Sequence, residues 1–204
     1  MKKLIAGALM AAGFLAGYTR TEAAAAEPVT VDRGRTAVIY FSWSPDGNTR
    51  FAAETIAAKL GAKLFEIRAQ KPYSSHYRTC CDEAKGECLG KRERPILPVE
   101  GLELAQYDVI LVGTPNWWGT MAPPVRTWIR QNAPELKGKT LCLFQTNGGG
   151  GMQNVERDFA ELLPEAKLLP AQAFYGSSIR SNAAEVEKFV ADRIRVREVP
   201  EQKR

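Results

Sequence analysis

Hydroxyl and amide side chains surround a glycine in residues 42–49, between an apolar run and the start of a helical pattern. The segment reads Ser-Trp-Ser-Pro-Asp-Gly-Asn-Thr. Backbone N–H groups at a helix start, hydroxyl donors and the positive end of the helix dipole together bind phosphate groups. The segment lacks the Gly-Lys-Ser/Thr ending of a nucleotide-triphosphate loop and the three-glycine spacing of a dinucleotide fingerprint. It therefore predicts a phosphate cradle of another kind.

A second polar segment, residues 114–119, contains the adjacent tryptophans Trp117 and Trp118. Neighbouring residues of a loop point in different directions, so we expect at least one indole to offer an exposed face for stacking on an aromatic ligand. A third segment contains four consecutive glycines at 148–151. Their backbone can approach a ligand closely and donate N–H groups to it. A flexible surface loop is the alternative interpretation of the glycine run alone.

The elements that would position these segments alternate between strands and helices. Apolar runs predict strands at 36–41, 63–67, 109–113, 140–146 and 167–174, and the continuous runs at 36–41 and 109–113 are typical of strands buried on both faces. Helical spacing predicts helices at 49–60, 75–88, 124–131, 152–163 and 183–196. This alternation predicts an α/β domain with a doubly wound parallel sheet and helices on both faces. Ligands of such sheets bind beyond the carboxyl ends of the strands, so the three polar segments are expected to meet there.

Few side chains are available for catalysis by the protein itself. The chain has a single histidine, His76, which excludes a site with several imidazole ligands from one chain. His76 is also the one candidate base for a serine or cysteine nucleophile. We interpret it as a surface residue, with proton delivery to a bound cofactor as the alternative. We predict no catalytic residue and no metal ligand.

The four cysteines leave several states open. Cys142 lies in a predicted strand and is expected to be inert core. On an unbroken helix, Cys81 and Cys88 would be about 10 Å apart along the axis. That separation exceeds the ~7 Å limit between the Cα atoms of a disulfide. A disulfide among Cys80, Cys81 and Cys88, a redox pair and free thiols all remain possible, whereas the spacing does not suit an iron–sulfur cluster.

Residues 1–26 have the pattern of a secretory signal peptide. Lys2 and Lys3 precede a short apolar run, and the segment ends in small residues with Ala26 at the expected cleavage point. A cytoplasmic N-terminal helix is the alternative. The run is shorter than the ~20 residues of a membrane-spanning helix. Tyr18 replaces the lipid-bearing cysteine of a lipoprotein signal, so we expect a periplasmic or secreted protein without a stable membrane anchor.

Length and charge agree with one exported domain. The 204 residues, 45% hydrophobic and 25% charged, suit a single domain of ordinary composition. We divide the chain into the signal peptide, a lead-in at 27–35, a domain at 36–198 and a tail at 199–204. Loss of residues 1–26 removes three basic residues and one acidic residue, which lowers the formal net charge from +5 to +3. The C-terminal arginines have no interleaved aromatic residues, so no nucleic-acid partner is predicted.

Over residues 36–196 the chain resembles the flavodoxin-like proteins. The resemblance rests on Tyr40-Phe41-Ser42…Gly47-Asn48-Thr49 and on Gly113-Thr114-Pro115-Asn116-Trp117-Trp118-Gly119, with the glycine loop in support. It implies a five-stranded parallel sheet of order 2-1-3-4-5, with FMN at the switch between the first and third strands. The cofactor-binding residues that it implies are Ser42, Trp43, Ser44, Gly47, Asn48, Thr49, Thr114, Pro115, Asn116, Trp117, Trp118, Gly119, Thr146, Asn147, Gly148 and Gly149.

The resemblance also implies a role for each segment. Ser42, Ser44, Asn48 and Thr49 would bind the phosphate of FMN. Thr114, Asn116 and Trp117 would contact the ribityl chain and the ring, and residues 146–149 would contact the far edge of the ring. A stacked Trp117 is expected to lower the flavin potential, and an N–H from Asn147 or Gly148 to favour reduced flavin. Pro45 and Asp46 lengthen the phosphate loop relative to the family pattern.

We therefore expect an FMN-binding oxidoreductase or electron-transfer protein that acts outside the cytoplasm. Its partner would be a redox protein or a quinone-like small molecule. One alternative is an FMN-dependent reductase of quinones or similar small acceptors, and another is a flavodoxin-like binding module without flavin. Electron-carrier flavodoxins are typically acidic, whereas this chain is basic, so their usual protein partners are not assumed.

Overall fold

The computed structural model describes residues 27–199 and contains eight strands and five α-helices in that range. The strands are β1 (Val29–Asp32), β2 (Thr36–Tyr40), β3 (Lys63–Glu66), β4 (Val109–Trp117), β5 (Thr120–Met121), β6 (Thr140–Asn147), β7 (Lys167–Tyr175) and β8 (Ile194–Arg197). The helices are α1 (Asn48–Leu60), α2 (Tyr77–Leu89), α3 (Pro123–Leu136), α4 (Val155–Leu162) and α5 (Ala183–Ala191).

The main sheet has the predicted topology with one addition. Its five parallel strands stand in the order β3-β2-β4-β6-β7. Counted along the predicted strands, this is 2-1-3-4-5, so the predicted order is confirmed. The short strand β5 pairs antiparallel with the end of β4 and is a sixth strand that the sequence did not predict. The strands β3 and β4 lie on opposite sides of β2. The order in which successive strands are added across the sheet therefore reverses at β2.

Helices cover both faces of the sheet because successive strand residues point to opposite sides. Val38 of β2 belongs to a core with residues of α1 and α5, whereas Ile39 belongs to a second core with residues of α2, α3 and α4. Both side chains are fully buried. The near-continuous apolar runs of β2, β4 and β6 therefore correspond to strands that are covered on both faces, as predicted, whereas the edge strands β3 and β7 are partly exposed.

A separate two-stranded parallel sheet joins β1 to β8. The sequence predicted only a lead-in at 27–35, and it predicted that the last helix continues to residue 196. The helix instead ends at Ala191, and residues 194–197 form a strand. Apolar and charged residues alternate strictly from Arg193 to Arg197, which is the period of a strand and not of a helix.

Other boundaries differ by a few residues. The helix predicted at 152–163 begins only at Val155, and the helix predicted at 124–131 continues to Leu136. Residues 114–117, predicted as loop, extend β4. The predicted signal peptide at 1–26 and most of the predicted tail lie outside the described residues. No helix within residues 27–199 has the length and hydropathy that a bilayer crossing requires.

Candidate cofactor site

The three polar segments lie side by side at the carboxyl ends of β2, β4 and β6. Tyr40 is paired with Gly113 across β2 and β4, and Pro115 is paired with Thr146 across β4 and β6. The segments that follow these residues are therefore neighbours at one edge of the sheet. A hydrogen bond of 2.8 Å between the hydroxyls of Thr49 and Thr146 joins the first segment directly to the third.

The first segment presents hydrogen-bond donors at the start of α1. Gly47 has a φ of 61° and precedes the helix without a side-chain cap, and the first turn contains no acidic residue. The Ser44 hydroxyl oxygen accepts the N–H of Asn48 at 3.2 Å, which leaves its own O–H free to donate. The Ser42 hydroxyl oxygen is buried and has no hydrogen-bond partner among the described residues. These groups suit an anion at the helix start.

Three of the predicted threonines are buried and hydrogen-bonded within the protein. Thr114 has no exposed surface, and its hydroxyl accepts the N–H of Ala122 and donates to the carbonyl of Pro115. Thr49 and Thr146 are buried and bonded to each other. These hydroxyls hold neighbouring loops together at the carboxyl edge of the sheet, and their contact with a cofactor stays a prediction.

A tight hairpin presents the second segment. Trp118 and Gly119 form the two-residue turn between β4 and β5, and their φ values are 53° and 81°. Positive φ at both positions is typical of a type I′ turn, which favours Asn-Gly. The Asn116 side chain holds the turn, because its Oδ1 accepts the N–H of Gly119 at 3.1 Å. Its Nδ2 donates to the Gly151 carbonyl and to Gln153 Oε1, at 2.9 Å each, and so ties the hairpin to the third segment.

The two tryptophans have different environments. Trp117 is half-buried and packs edge-to-face against Phe41, Trp43 and Tyr73, with ring centroids 5.6, 6.1 and 4.9 Å away. Trp118 is 46% exposed, and its indole N–H donates to the Cys81 carbonyl at 3.2 Å. Trp118 is therefore the member of the pair with the more accessible ring, whereas Trp117 is held within an aromatic cluster.

Asn147 shapes the glycine loop. Its Oδ1 accepts the N–H groups of Gly149 and Gly151 at 2.8 and 3.1 Å, while its Nδ2 donates to the Phe174 carbonyl at 3.0 Å. Within the described part of the chain, the N–H groups of Gly148 and Gly150 have no hydrogen-bond partner. Both glycines are exposed, so their donors are available to a ligand.

The structure adds residues that the sequence did not single out. Tyr175 ends β7, is 52% exposed and lies beside Gly149. Gly176 packs so closely on Asn48 that a Cβ atom there would lie 2.8 Å from the Asn48 amide nitrogen. Arg180 donates to the carbonyl of Asp46 in the first segment. These three residues follow the fifth parallel strand, at the same edge of the sheet. That position is the sequence feature from which they could have been predicted.

The chain between β3 and β4 covers one side of the tryptophans. A cavity of about 330 Å³ separates it from the site, and its lining residues are Trp43, Tyr77, Cys80, Cys81, Ala84, Asn116, Trp117 and Trp118. Burial raises the pKa of the Cys80 thiol to about 12. A hydrogen bond with Cys81 raises the pKa of Tyr77. Half of the lining residues are aromatic, and none of them is an acidic or basic residue.

Within residues 27–199 the cysteines form no disulfide, and neither they nor the histidine belong to a group of potential metal ligands. All four thiols are free, and α2 runs without a break through Cys80, Cys81 and Cys88. No group of three or more potential metal ligands occurs among these residues. His76 is exposed at the start of α2, where its ring lies 3.3 Å from the Thr79 hydroxyl.

A largely buried ion pair fixes this covering segment. Arg94 and Glu87 are 2.8 Å apart, with only 11% and 15% of their side chains exposed. The Tyr73 hydroxyl donates to the other Glu87 oxygen at 2.6 Å, and the Arg94 guanidinium lies 3.9 Å from the Tyr73 ring centroid. Burial and this hydrogen bond raise the pKa of Tyr73. Tyr73 is thereby held against Trp117.

An open parallel sheet with donor-rich loops and exposed aromatic rings at its switch point defines a cofactor-binding protein of the doubly wound α/β class. The family follows from the sequence: a model described as flavodoxin matches residues 35–191. The chain belongs to the flavodoxin family. This membership bears out the family predicted from the two motifs and supports FMN as the cofactor.

Solved structures share the fold. A flavoprotein in complex with FMN from Lactobacillus acidophilus NCFM is 23% identical with a TM-score of 0.61, and the match covers 74% of this chain and 99% of that one. A candidate flavoprotein from Bacteroides uniformis ATCC 8492 is 24% identical with a TM-score of 0.65, covering 78% and 98%. The apo form of the Lactobacillus protein is 21% identical with a TM-score of 0.52, covering 71% and 95%.

Proposed function

We propose that this chain is an FMN-binding electron-transfer flavoprotein that acts outside the cytoplasm. The observation that carries the proposal is the meeting of three features at the switch point of the sheet. These are a helix start with a glycine N-cap and spare donors, a glycine loop with free N–H groups, and an exposed indole. Family membership and the FMN complex of a structural neighbour support the same cofactor.

The residues of the site fit the chemistry of FMN. The buried, unpartnered hydroxyl of Ser42 and the first N–H groups of α1 suit a phosphate group. Asp46, whose carboxylate would oppose a phosphate, is exposed to solvent. Trp118 and Tyr175 offer aromatic faces, and the Gly148 and Gly150 N–H groups suit the polar atoms of a flavin ring.

FMN supplies the redox chemistry when it is bound, and the protein supplies binding, orientation and access. Ser42, Ser44 and the start of α1 would hold the phosphate. Trp118, Tyr175 and the glycine loop would hold the ring, with Asn116 and Asn147 keeping the loops in place. Trp118 and Tyr175 are about half exposed, which leaves this edge of the molecule accessible to a redox partner protein.

The proposal is tested by purifying the mature protein and measuring its visible spectrum. We expect flavin absorbance that is bleached by dithionite and restored when a one-electron acceptor such as cytochrome c is added. A colourless, folded protein that takes up no FMN would instead indicate the binding module without flavin. A flavin that is reduced but passes no electrons to a protein acceptor would contradict the electron-transfer role.

The aromatic cavity beside the tryptophans favours a second candidate function, the reduction of quinone-like small acceptors. Its lining of indole and phenol rings suits a flat apolar molecule. Menadione added to the reduced flavoprotein tests this candidate. Reoxidation that saturates with menadione and is slowed by Tyr77→Ala would support it, whereas a rate proportional to menadione concentration in both proteins would argue against it.

Export is part of the proposal and rests on the signal pattern of residues 1–26. Strand β1 begins at Val29, so cleavage after Ala26 would leave the small β1–β8 sheet intact. Mass spectrometry of protein from a periplasmic fraction tests this. A mature N-terminus at or near Glu27 is expected, and an uncleaved chain confined to the cytoplasm would contradict it.

A further inference from the structure

Arg180 reaches the first segment of the site from the far end of the chain. It follows β7 by five residues, and its guanidinium donates a hydrogen bond to the carbonyl of Asp46. The same guanidinium lies over the ring of Phe51, 4.7 Å from the ring centroid. Asp46 immediately precedes Gly47, the N-cap residue of α1. A cation is thus attached to the loop in which we place the phosphate.

The backbone around Arg180 is anchored, so this position is a property of the fold. Ile179 is 2% exposed and belongs to the core formed with α1 and α5. Gly176 lies directly on Asn48 of α1, where a side chain could not fit without displacing the Asn48 amide. Packing on both sides of the turn therefore places residue 180 beside the start of α1.

The Arg180 guanidinium has N–H donors that are available to a further ligand. Among residues 27–199, no carboxylate lies within 4.0 Å of Arg180, and its hydrogen bond to Asp46 uses the neutral backbone carbonyl. The nearby Arg50 is already paired with Glu66 at 2.9 Å. A guanidinium carries several N–H donors in a planar fork that matches phosphate oxygens. Arg180 therefore differs from Arg50 in being available to an anion.

We propose that Arg180 is a phosphate-binding residue that makes the site selective for the phosphate monoester of the flavin over riboflavin. This inference rests on the proposed function. The first segment supplies neutral donors, and Arg180 supplies the positive charge that would offset the exposed Asp46 carboxylate. A charged contact of this kind adds affinity only for the phosphorylated ligand, so it acts as a selectivity element as well as an anchor.

The test compares the Kd values of FMN and riboflavin for the apoprotein of three variants: Arg180→Ala, Arg180→Lys and Arg195→Ala. Arg195 is also an exposed arginine, on β8, and serves as the control. We expect Arg180→Ala to weaken FMN binding about 10- to 100-fold, the range of a charge-assisted hydrogen bond, and to leave riboflavin binding unchanged. Arg180→Lys should recover part of the loss, and Arg195→Ala should bind both flavins as the wild type does.

Salt and pH give an independent readout. FMN affinity of the wild type should fall with added NaCl, because an exposed charge contact is screened. It should also fall below pH ~6, where a phosphate monoester loses its second negative charge. Both dependences should be weaker in Arg180→Ala. Riboflavin, which has no phosphate, should show neither.

Three results would overturn the inference. Unchanged FMN affinity in Arg180→Ala would show that Arg180 does not bind the phosphate. An equal loss for FMN and riboflavin would show that Arg180 only packs the loop through Phe51. If the wild type binds riboflavin as tightly as FMN, the site has no phosphate selectivity to explain. A folded wild type that binds neither flavin would defeat the proposed function first, which distinguishes that failure from the failure of Arg180 alone.

Discussion

At the scale of single residues, the polar side chains of the site hold the loops as much as they face a ligand. Asn116 and Asn147 each use both ends of the side-chain amide on backbone groups of the hairpin, the glycine loop and β7. Their residue types and approximate position could be predicted from the sequence. Their partners could not, because a bond such as that from Asn116 to Gly151 depends on how β4 and β6 are paired.

Trp118 occupies a backbone conformation that suits asparagine or glycine better than tryptophan. Its φ of 53° lies in the left-handed region, which costs an ordinary residue about 1–2 kcal/mol. A large residue kept in that conformation indicates a use for its side chain. The sequence shows the Trp-Trp-Gly motif but does not reveal this strain, which arises only when β4 and β5 form a two-residue hairpin.

We predict that Trp118→Asn lowers the affinity for FMN without a comparable change in stability. The substitution should relieve the turn and lose the hydrogen bond to Cys81, so the free energy of unfolding should stay within about 1 kcal/mol of the wild type. FMN affinity should fall about 3- to 10-fold, the value of one aromatic contact. Urea unfolding and fluorescence titration measure the two quantities.

The matched control is Leu89→Asn, which removes another exposed apolar side chain at the end of α2. It should leave FMN affinity unchanged. Unaltered FMN affinity in Trp118→Asn would show that the strained indole does not contact the cofactor.

At the scale of elements, close packing between β4 and β6 requires a glycine at the base of the second segment. A Cβ atom at Gly113 would lie 2.3 Å from the ring of Phe144, which is fully buried and cannot move aside. The sequence showed Gly113 as part of a motif, but the reason for the glycine is the ring on the neighbouring strand.

We predict that Gly113→Ala lowers the free energy of unfolding by about 1–3 kcal/mol, the usual cost of overpacking a core. Urea denaturation measures the loss. Combining the change with Phe144→Leu should recover part of it, because the smaller side chain makes room for the added methyl group.

Gly148→Ala provides the comparison, since no heavy atom lies within 4 Å of a Cβ atom at that position. It should unfold at the wild-type urea concentration. Equal stability of Gly113→Ala and the wild type would contradict the packing argument.

The sequence predicted best those elements whose apolar residues follow a single clear spacing. The central strands β2, β4 and β6 have near-continuous apolar runs and are buried, whereas the edge strands β3 and β7 are partly exposed; the order of all five agrees with the prediction. The last helix was predicted too long because its amphipathic pattern was extended across residues 193–197, where the alternation of arginines with Ile194 and Val196 already has the period of a strand. The pairing of β8 with β1 and the ion pair between Arg197 and Asp32 stabilise that strand.

At the scale of the whole molecule, the β1–β8 sheet lies outside the part that matches the family. The flavodoxin model covers residues 35–191, whereas β1 and β8 occupy 29–32 and 194–197. Ile194 is 4% exposed and packs into the core shared by α1 and α5. This small sheet therefore closes one side of the domain with residues from both ends of the described chain.

We predict that Ile194→Ala lowers the free energy of unfolding by about 2–5 kcal/mol, the usual cost of truncating a buried isoleucine. Arg195→Ala, on the exposed face of the same strand, should change it by no more than about 0.5 kcal/mol. Urea denaturation of both variants measures the difference. Equal stability of the two would show that the sheet is peripheral to the folded domain.

The account as a whole depends on FMN binding at the switch point of the main sheet, and titration of the mature apoprotein with FMN tests it most directly. We predict saturation at one FMN per chain, with quenching of flavin fluorescence and of the indoles around the site. Failure of the folded apoprotein, verified by circular dichroism, to take up FMN in a saturable manner would contradict the central claim.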